Sequence, residues 1–244
     1  MKALILAAGF GKRLRPITNS IPKSMVEVGG KPLLINAIDN LIDNGILEIG
    51  IVLGHMADYI RSYIGTEYRS ARIYYFENER YLETNNVVSL YKALPFCDDD
   101  MLLLECDLFY QKELISQLVS GKGDCTILVS PFNPKTMDGT VIITEGDKAK
   151  SLVLGKWQDS DLNYQCARKT VNLYRFTSKF LKAYAPMIKW YVENISEDSY
   201  YEKVLGGLIY LREYDVRVTE VPENAWCEID DAEDLERARK RFGN

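Results

Sequence analysis

The residues able to do chemistry in this chain are bases near its start and carboxylates far from them in sequence. Ala3-Leu4-Ile5 is a short apolar run that empties into Leu6-Ala7-Ala8-Gly9-Phe10-Gly11, whose small residues let the backbone approach a ligand closely. Lys12 and Arg13 follow at once, and Lys23 stands behind Pro22. Amide groups in a tight glycine turn beside an Arg fork offer several donors in fixed geometry, an arrangement suited to phosphate oxygens. The spacing is not a dinucleotide fingerprint, because Leu14 stands where a third Gly is needed. Nor is it a Walker A loop, because no Gly-Lys-Ser/Thr closes it. On the acidic side, Asp107 follows the apolar run Met101 to Leu104, and alternation along a later strand puts Glu228 and Asp230 on one face. Carboxylates delivered together in this way make an all-oxygen site suited to Mg²⁺.

The elements that must position these groups can be read from periodicity. Ala3 to Ile5, Ile49 to Leu53, Ala71 to Phe76, Met101 to Leu104 and Cys125 to Ser130 read as buried strands, and Leu33 to Asn44, Ala57 to Ile64 and Gln111 to Val119 as helices. Gly45 is a C-cap for the first helix. This alternation predicts an α/β fold: a mainly parallel mixed sheet flanked by helices, Rossmann-like, with ligands beyond the carboxyl ends of its strands. Gly9, Gly54 and Asp107 belong to that edge. His55, next to Gly54, reads as structural. Asp138-Gly139 is a hairpin signal ahead of Thr140 to Thr144. Phe180 to Tyr191 and Tyr200 to Tyr210 read as helices, and Asp231 caps a final amphipathic helix from Glu233 to Arg241.

Composition narrows the class. The chain has 244 residues, 47% hydrophobic and 27% charged, enough to bury a large core with no disulfide. The five cysteines show no CxxC spacing and are odd in number, which predicts reduced thiols and a cytoplasmic protein. No signal peptide precedes the first strand, and no apolar run approaches the roughly 20 residues of a membrane span. His55 is the only histidine, so His-based nucleophile activation and His-rich metal sites drop out. A formal net charge of −5 argues against a nucleic-acid partner, so a polyanionic substrate must be met by local bases. Oligomeric state stays open, and a homodimer is compatible with these observations.

Taken together, LAAGFGKRLRP, Pro22-Lys23 and Gly30-Lys31-Pro32-Leu33-Leu34 closely resemble the opening of the nucleotidyltransferases that activate sugar phosphates and related acceptors with an NTP. The resemblance covers nearly the whole chain, strongly at residues 3 to 34, 84 to 91 and 226 to 238. Asn85-Asn86 followed by Ser89-Leu90-Tyr91, Lys169-Thr170-Val171-Asn172 and Tyr200-Tyr201-Glu202 are similar to the cytidylyltransferase branch acting on phosphocholine, 2-aminoethylphosphonate or phosphoglutamine.

This resemblance implies one nucleotidyltransferase domain over 1–244. Its nucleotide-binding core spans 1–130, an acceptor-binding part about 131–212, and a C-terminal strand, acidic motif and helix 213–244. It implies CTP and a small amine-bearing phosphate or phosphonate as substrates. Lys23 would meet charge growing on the α-phosphoryl group, and Arg13 would hold the β- and γ-phosphates. Leu6, Ala7, Ala8, Gly9, Gly11, Lys12, Asn85, Asn86 and Ser89 would seat the nucleotide. Asp107, Glu228 and Asp230 would hold Mg²⁺. On the acceptor side stand Asp138, Lys156, Trp157, Lys169, Asn172, Tyr200, Tyr201 and Glu202, in which aromatic faces attract an ammonium and a carboxylate neutralises it. Three rivals compete: a sugar-1-phosphate uridylyl- or thymidylyltransferase, a nucleotide-binding regulatory module without chemistry, and a glycosyltransferase of related architecture.

Overall fold

A computed structural model describes residues 1–158 and 162–243. Its first half runs β1 (Lys2–Ala7), β2 (Glu27–Val28), β3 (Lys31–Pro32), α1 (Leu33–Asp43), β4 (Glu48–Leu53), α2 (Ala57–Ile64), β5 (Glu67–Tyr68), β6 (Ala71–Glu77), α3 (Asn86–Lys92), β7 (Met101–Glu105), β8 (Leu108–Tyr110) and α4 (Glu113–Val119). Strands β7, β1, β4 and β6 lie side by side and parallel, so their carboxyl ends form one edge. Strand β1 is buried from Ala3 to Ala7, as a strand covered on both faces must be. Ala3 and Ile5 pack with Leu34, Ile38 and Leu41 of α1. Leu4 and Leu6 belong to the core on the other face, with Val87 and Leu90 of α3. Gly45 adopts a left-handed φ of 79° just beyond α1, and its N–H donates to the Ile42 carbonyl.

The second half comprises β9 (Cys125–Pro131), β10 (Val141–Glu145), β11 (Lys148–Val153), β12 (Ala167–Phe176), α5 (Ser178–Asn194), α6 (Tyr201–Leu211), β13 (Val216–Glu220), β14 (Trp226–Glu228) and α7 (Ala232–Phe242). It extends the same mixed sheet, mostly in antiparallel fashion. The pivot is β12. Its end, Leu173 to Phe176, pairs with β7, whereas Ala167 to Lys169 pairs with β10. Between them the register against β9 shifts, and Asn172 takes a left-handed φ of 58°. Asn is among the few residues that tolerate this conformation, and the bend re-aims the strand's side chains. Strand β14 pairs with β8, and the Ile229 N–H donates to the Asp107 carbonyl at 2.8 Å. The C-terminal acidic motif is thereby pinned to the residue that follows β7.

Asp231 caps α7 in a reciprocal box with Asp234, as its sequence position predicts. The hairpin signal at Asp138-Gly139 is not a hairpin turn. Strands β9 and β10 are not partners, and the turn joining β10 to β11 lies instead at Gly146, with φ 59°. Gly139 has a different constraint: at φ 89° it backs onto the ammonium of Lys169, where any Cβ would collide. No helix among the described residues is long and apolar enough to cross a membrane.

Gly50, in the middle of β4, is tightly enclosed. A Cβ there would lie 2.9 Å from both Leu4 Cδ1 and Phe96 Cε1. Gly50→Val should therefore destabilise the protein by about 1–3 kcal/mol through overpacking, read as a lower urea midpoint at unchanged slope. An unchanged midpoint would mean that Leu4 and Phe96 yield without strain.

Candidate active site

The site is built around Lys23. Its ammonium lies 3.0 Å from Asp107 Oδ2 and 2.7 Å from Asp230 Oδ1, and the Arg13 guanidinium reaches the same Asp230 oxygen at 2.9 Å. Lys23 is only 9% exposed, which opposes its charge; Asp107 and Asp230 more than offset that and hold its pKa above the ordinary lysine value. Burial likewise pushes the Asp230 carboxyl up, but Lys23 and Arg13 outweigh it and the net shift is downward. Gly11 makes this packing feasible: at φ 69°, its missing Cβ would sit 2.8 Å from Lys23 Cβ.

A cleft of about 340 Å³ opens over this cluster. Leu6, Ala8, Gly9, Gly11, Lys12, Arg13 and Lys23 line one side, Asn85, Asn86 and Ser89 the other, with Asp107 and Asp230 between. Ala7 does not reach it and packs in the core instead. Both Asn side chains already have partners. Asn85 caps α3, accepting from the Asn86 N–H, and donates to Asp198 at 3.3 Å. Asn86 donates to Glu105 Oε1 at 3.2 Å and accepts from the Tyr201 N–H at 3.0 Å. Lining residues outside the expected set are Glu105 and Cys106, next to Asp107, and three that follow β6: Asn78, Tyr81 and Thr84. The signal for those three was available, because β6 ends at Glu77 on the same sheet edge as Gly9. His55 packs against Phe10 with the rings tilted and their centroids 4.3 Å apart, in keeping with a structural role.

A second cavity of about 330 Å³ adjoins the first. Arg13, Asn86, Glu105, Asp107, Tyr200 and Asp230 line both, while Lys156, Lys169, Asn172, Glu202 and Glu228 line only the second of these two. Three glutamates line it, Glu202 buried and Glu105 and Glu228 half-buried. Glu105 receives the Tyr201 hydroxyl at 2.9 Å, and its pKa is driven well up by burial and by the charges of Asp107 and Glu202. Burial pushes Glu202 up to about 7. Glu228 is also raised by burial, although the Lys169 ammonium 3.0 Å away pulls it back. Asn172 Nδ2 lies 3.5 Å from the other Glu228 oxygen.

Three residues expected on the acceptor side lie elsewhere. Tyr201 is fully buried, with its hydroxyl spent on Glu105. Trp157 sits on the surface with Lys156 and Lys203 over its ring, 5.3 and 5.5 Å from the centroid. Asp138 lines a third cavity, of about 380 Å³, on the far side of the Lys169–Glu228 pair. Tyr200, at the N-cap of α6, and Glu202 line the cavity, whereas Tyr201 between them is buried in the core.

The carboxylates divide between two lysines. Among the described residues, no three His, Cys, Asp or Glu side chains gather into a metal cage. Glu228 turns to Lys169 because a buried carboxylate needs a cation, which leaves Asp107 and Asp230 as the close pair. Asp107 Oδ1 is buried and has no hydrogen-bond partner among the described residues. A bare carboxylate oxygen beside a second carboxylate fits Mg²⁺, an ion that takes one or two protein carboxylates and completes its shell with water and substrate oxygens.

The sequence model of the family described as Nucleotidyl transferase matches residues 2–153. The chain is 29% identical over 245 residues to the CMP-5'-(3-aminopropyl)phosphonate synthase of Streptomyces rubellomurinus; the match covers 99% of this chain but only 39% of that protein. It is 28% identical over 260 residues to the CTP:phosphoglutamine cytidylyltransferase of Campylobacter jejuni, covering 97% of this chain and 98% of the relative. The solved structure of the CTP:phosphocholine cytidylyltransferase from Streptococcus pneumoniae superposes with a TM-score of 0.77 at 23% identity, over 98% of this chain and 97% of the other, and so shares its fold. With the family match spanning more than half of the chain and centred on the strands that build the cleft, this protein belongs to the nucleotidyl transferase family.

Proposed function

We propose that this enzyme joins the CMP moiety of CTP to a small amine-bearing phosphate or phosphonate and releases pyrophosphate. One observation carries the reading: the cleft rimmed by the Gly9 to Arg13 turn opens into a second cavity with a carboxylate-rich rear wall, and the two meet at Arg13, Asp107 and Asp230. Two relatives along nearly the whole chain, named for a CMP-aminopropylphosphonate product and for phosphoglutamine cytidylylation, support the same reading.

An anionic acceptor oxygen attacks the α-phosphorus in line. A new P–O bond forms as the α–β bond breaks, and the electron pair leaves on pyrophosphate. An oxygen already ionised needs no general base, so a chain with one structural histidine suffices; alignment and charge neutralisation are the remaining requirements. Lys23 meets charge that grows on the α-phosphoryl group, Arg13 grips the outer phosphates, and the Gly9 to Gly11 turn lets the phosphates approach the backbone. Mg²⁺ bound at Asp107 and Asp230 would supply further charge neutralisation and orientation of phosphate oxygens. Because Asn85 and Asn86 are engaged within the protein, base choice does not follow from them alone, which keeps a uridylyl- or thymidylyltransferase acting on a sugar 1-phosphate as the second reading.

The deciding experiment is pyrophosphate release with Mg²⁺ across four NTPs against phosphocholine, 2-aminoethylphosphonate, phosphoglutamine and glucose 1-phosphate. Turnover should be confined to CTP with an amine-bearing acceptor; turnover of UTP or dTTP with the sugar phosphate would overturn the proposal. Lys23→Ala should lower kcat by about 10²–10³-fold, as loss of a transition-state donor does, with a smaller change in KM. A rise in KM alone would make Lys23 a ground-state binder. Asp107→Asn should raise the Mg²⁺ concentration for half-maximal rate by at least about tenfold, and full activity at low Mg²⁺ would remove Asp107 from the metal's ligands.

A further inference from the structure

Building on the acceptor class proposed above, the geometry separates two chemistries that the sequence leaves together, a quaternary and a protonated ammonium. A trimethylammonium has no N–H and is held by aromatic faces. Among the described residues, no aromatic cage forms at this cavity. Of Trp157, Tyr200 and Tyr201, only Tyr200 lines the second cavity. Tyr201 is inside the core, and the Trp157 ring already carries two lysine ammonium groups.

In place of a cage the cavity presents acceptors. Glu202 is 5% exposed, lines the wall, and its Oε2 has no hydrogen-bond partner among the described residues. Leaving a carboxylate oxygen dry and unpaired is costly, and an N–H donor in the cavity removes that cost. Glu228 lies in the same wall, its Oε1 meeting only the 3.5 Å contact from Asn172. The lysines of this cavity do not cancel this acidic end. Lys169 is committed to Glu228, and the Lys156 ammonium lies over the Trp157 ring.

We infer that the acceptor's nitrogen is a protonated amine carrying at least one N–H, which donates to Oε2 of Glu202, and that the site discriminates against trimethylammonium acceptors. Glu202 is thereby a specificity-determining residue. An N–H retained on the nitrogen satisfies the buried oxygen, whereas three methyl groups enclose the charge and leave Oε2 unpaired. Discrimination then falls at one step of N-methylation, the loss of the last N–H.

The test measures kcat/KM of the full-length protein with CTP and Mg²⁺ across phosphoethanolamine, its N-methyl and N,N-dimethyl derivatives, and phosphocholine, four acceptors identical except at nitrogen. Efficiency should change little through the dimethyl compound and fall roughly 10- to 100-fold at phosphocholine, the cost of leaving one buried acceptor unsatisfied. Glu202→Gln, close in shape, should shrink that final step at least about threefold, chiefly through a higher KM for phosphoethanolamine. A smooth decline with each methyl would mark exclusion by size and overturn the inference. So would phosphocholine used as well as phosphoethanolamine, or a final step unaltered by Glu202→Gln. Pyrophosphate release with none of the four, but with a sugar 1-phosphate, would overturn the proposed function and this inference together. In contrast, phosphocholine as the best substrate would leave the proposed function standing and remove only the inference.

Discussion

One buried cation holds the site together. Lys23, Asp107 and Asp230 come from three distant parts of the chain, and their contacts at 3.0 and 2.7 Å close the cleft. Such a pair seldom adds net stability over well-packed apolar groups, because desolvating the charges consumes most of what their attraction returns, yet removing one partner strands the other at roughly 3–5 kcal/mol. The rest of the architecture follows from keeping the three groups in register. Gly11 gives up its Cβ to Lys23, the Ile229 N–H ties the acidic motif to Asp107, and the capping box of α7 receives the Asp230 and Asp231 amides on Asp234.

The same economy of charge runs through the second cavity, with a different balance. Its carboxylates outnumber its committed cations. Glu228 has Lys169, and Glu105 has a tyrosine hydroxyl and an amide, but Oε2 of Glu202 has no hydrogen-bond partner among the described residues. In a water-poor interior a fully satisfied polar network is rigid, and one vacant acceptor stands out against it. The contrast with the first cleft is chemical: of the two cavities, Lys12 and Lys23 line only the first, and Glu202 and Glu228 only the second.

Much of this was legible in the sequence, and the parts that were not have identifiable causes. The parallel strands announced themselves as apolar runs, and Gly45 and Asp231 fall where local capping chemistry demands. Asp107 could be placed on the sheet edge with Gly9, and Asp230 near it, because strand order and alternation are local rules with a global consequence; the role of Lys23 came from the family resemblance. Tyr201, Trp157 and Asp138 could not be placed so easily. The burial of Tyr201 rests on packing against Tyr174 of β12, and the pairing of Glu228 with Lys169 on contact between the β14 and β12 segments, and no local pattern encodes either. Asn85 shows a further limit: an amide at a helix start serves equally as a cap or as a ligand group, and only its partners tell which.

The shared wall between the cavities also bears on how this enzyme could be retooled. Arg13, Asn86, Glu105, Asp107, Tyr200 and Asp230 line both cavities, so a change at any of them alters the two together, and such effects do not add. Lys156, Lys169 and Glu202 line the second cavity and not the first. A lineage or an engineer exchanging one acceptor for another has room to move at that far end, while the junction stays closed to drift.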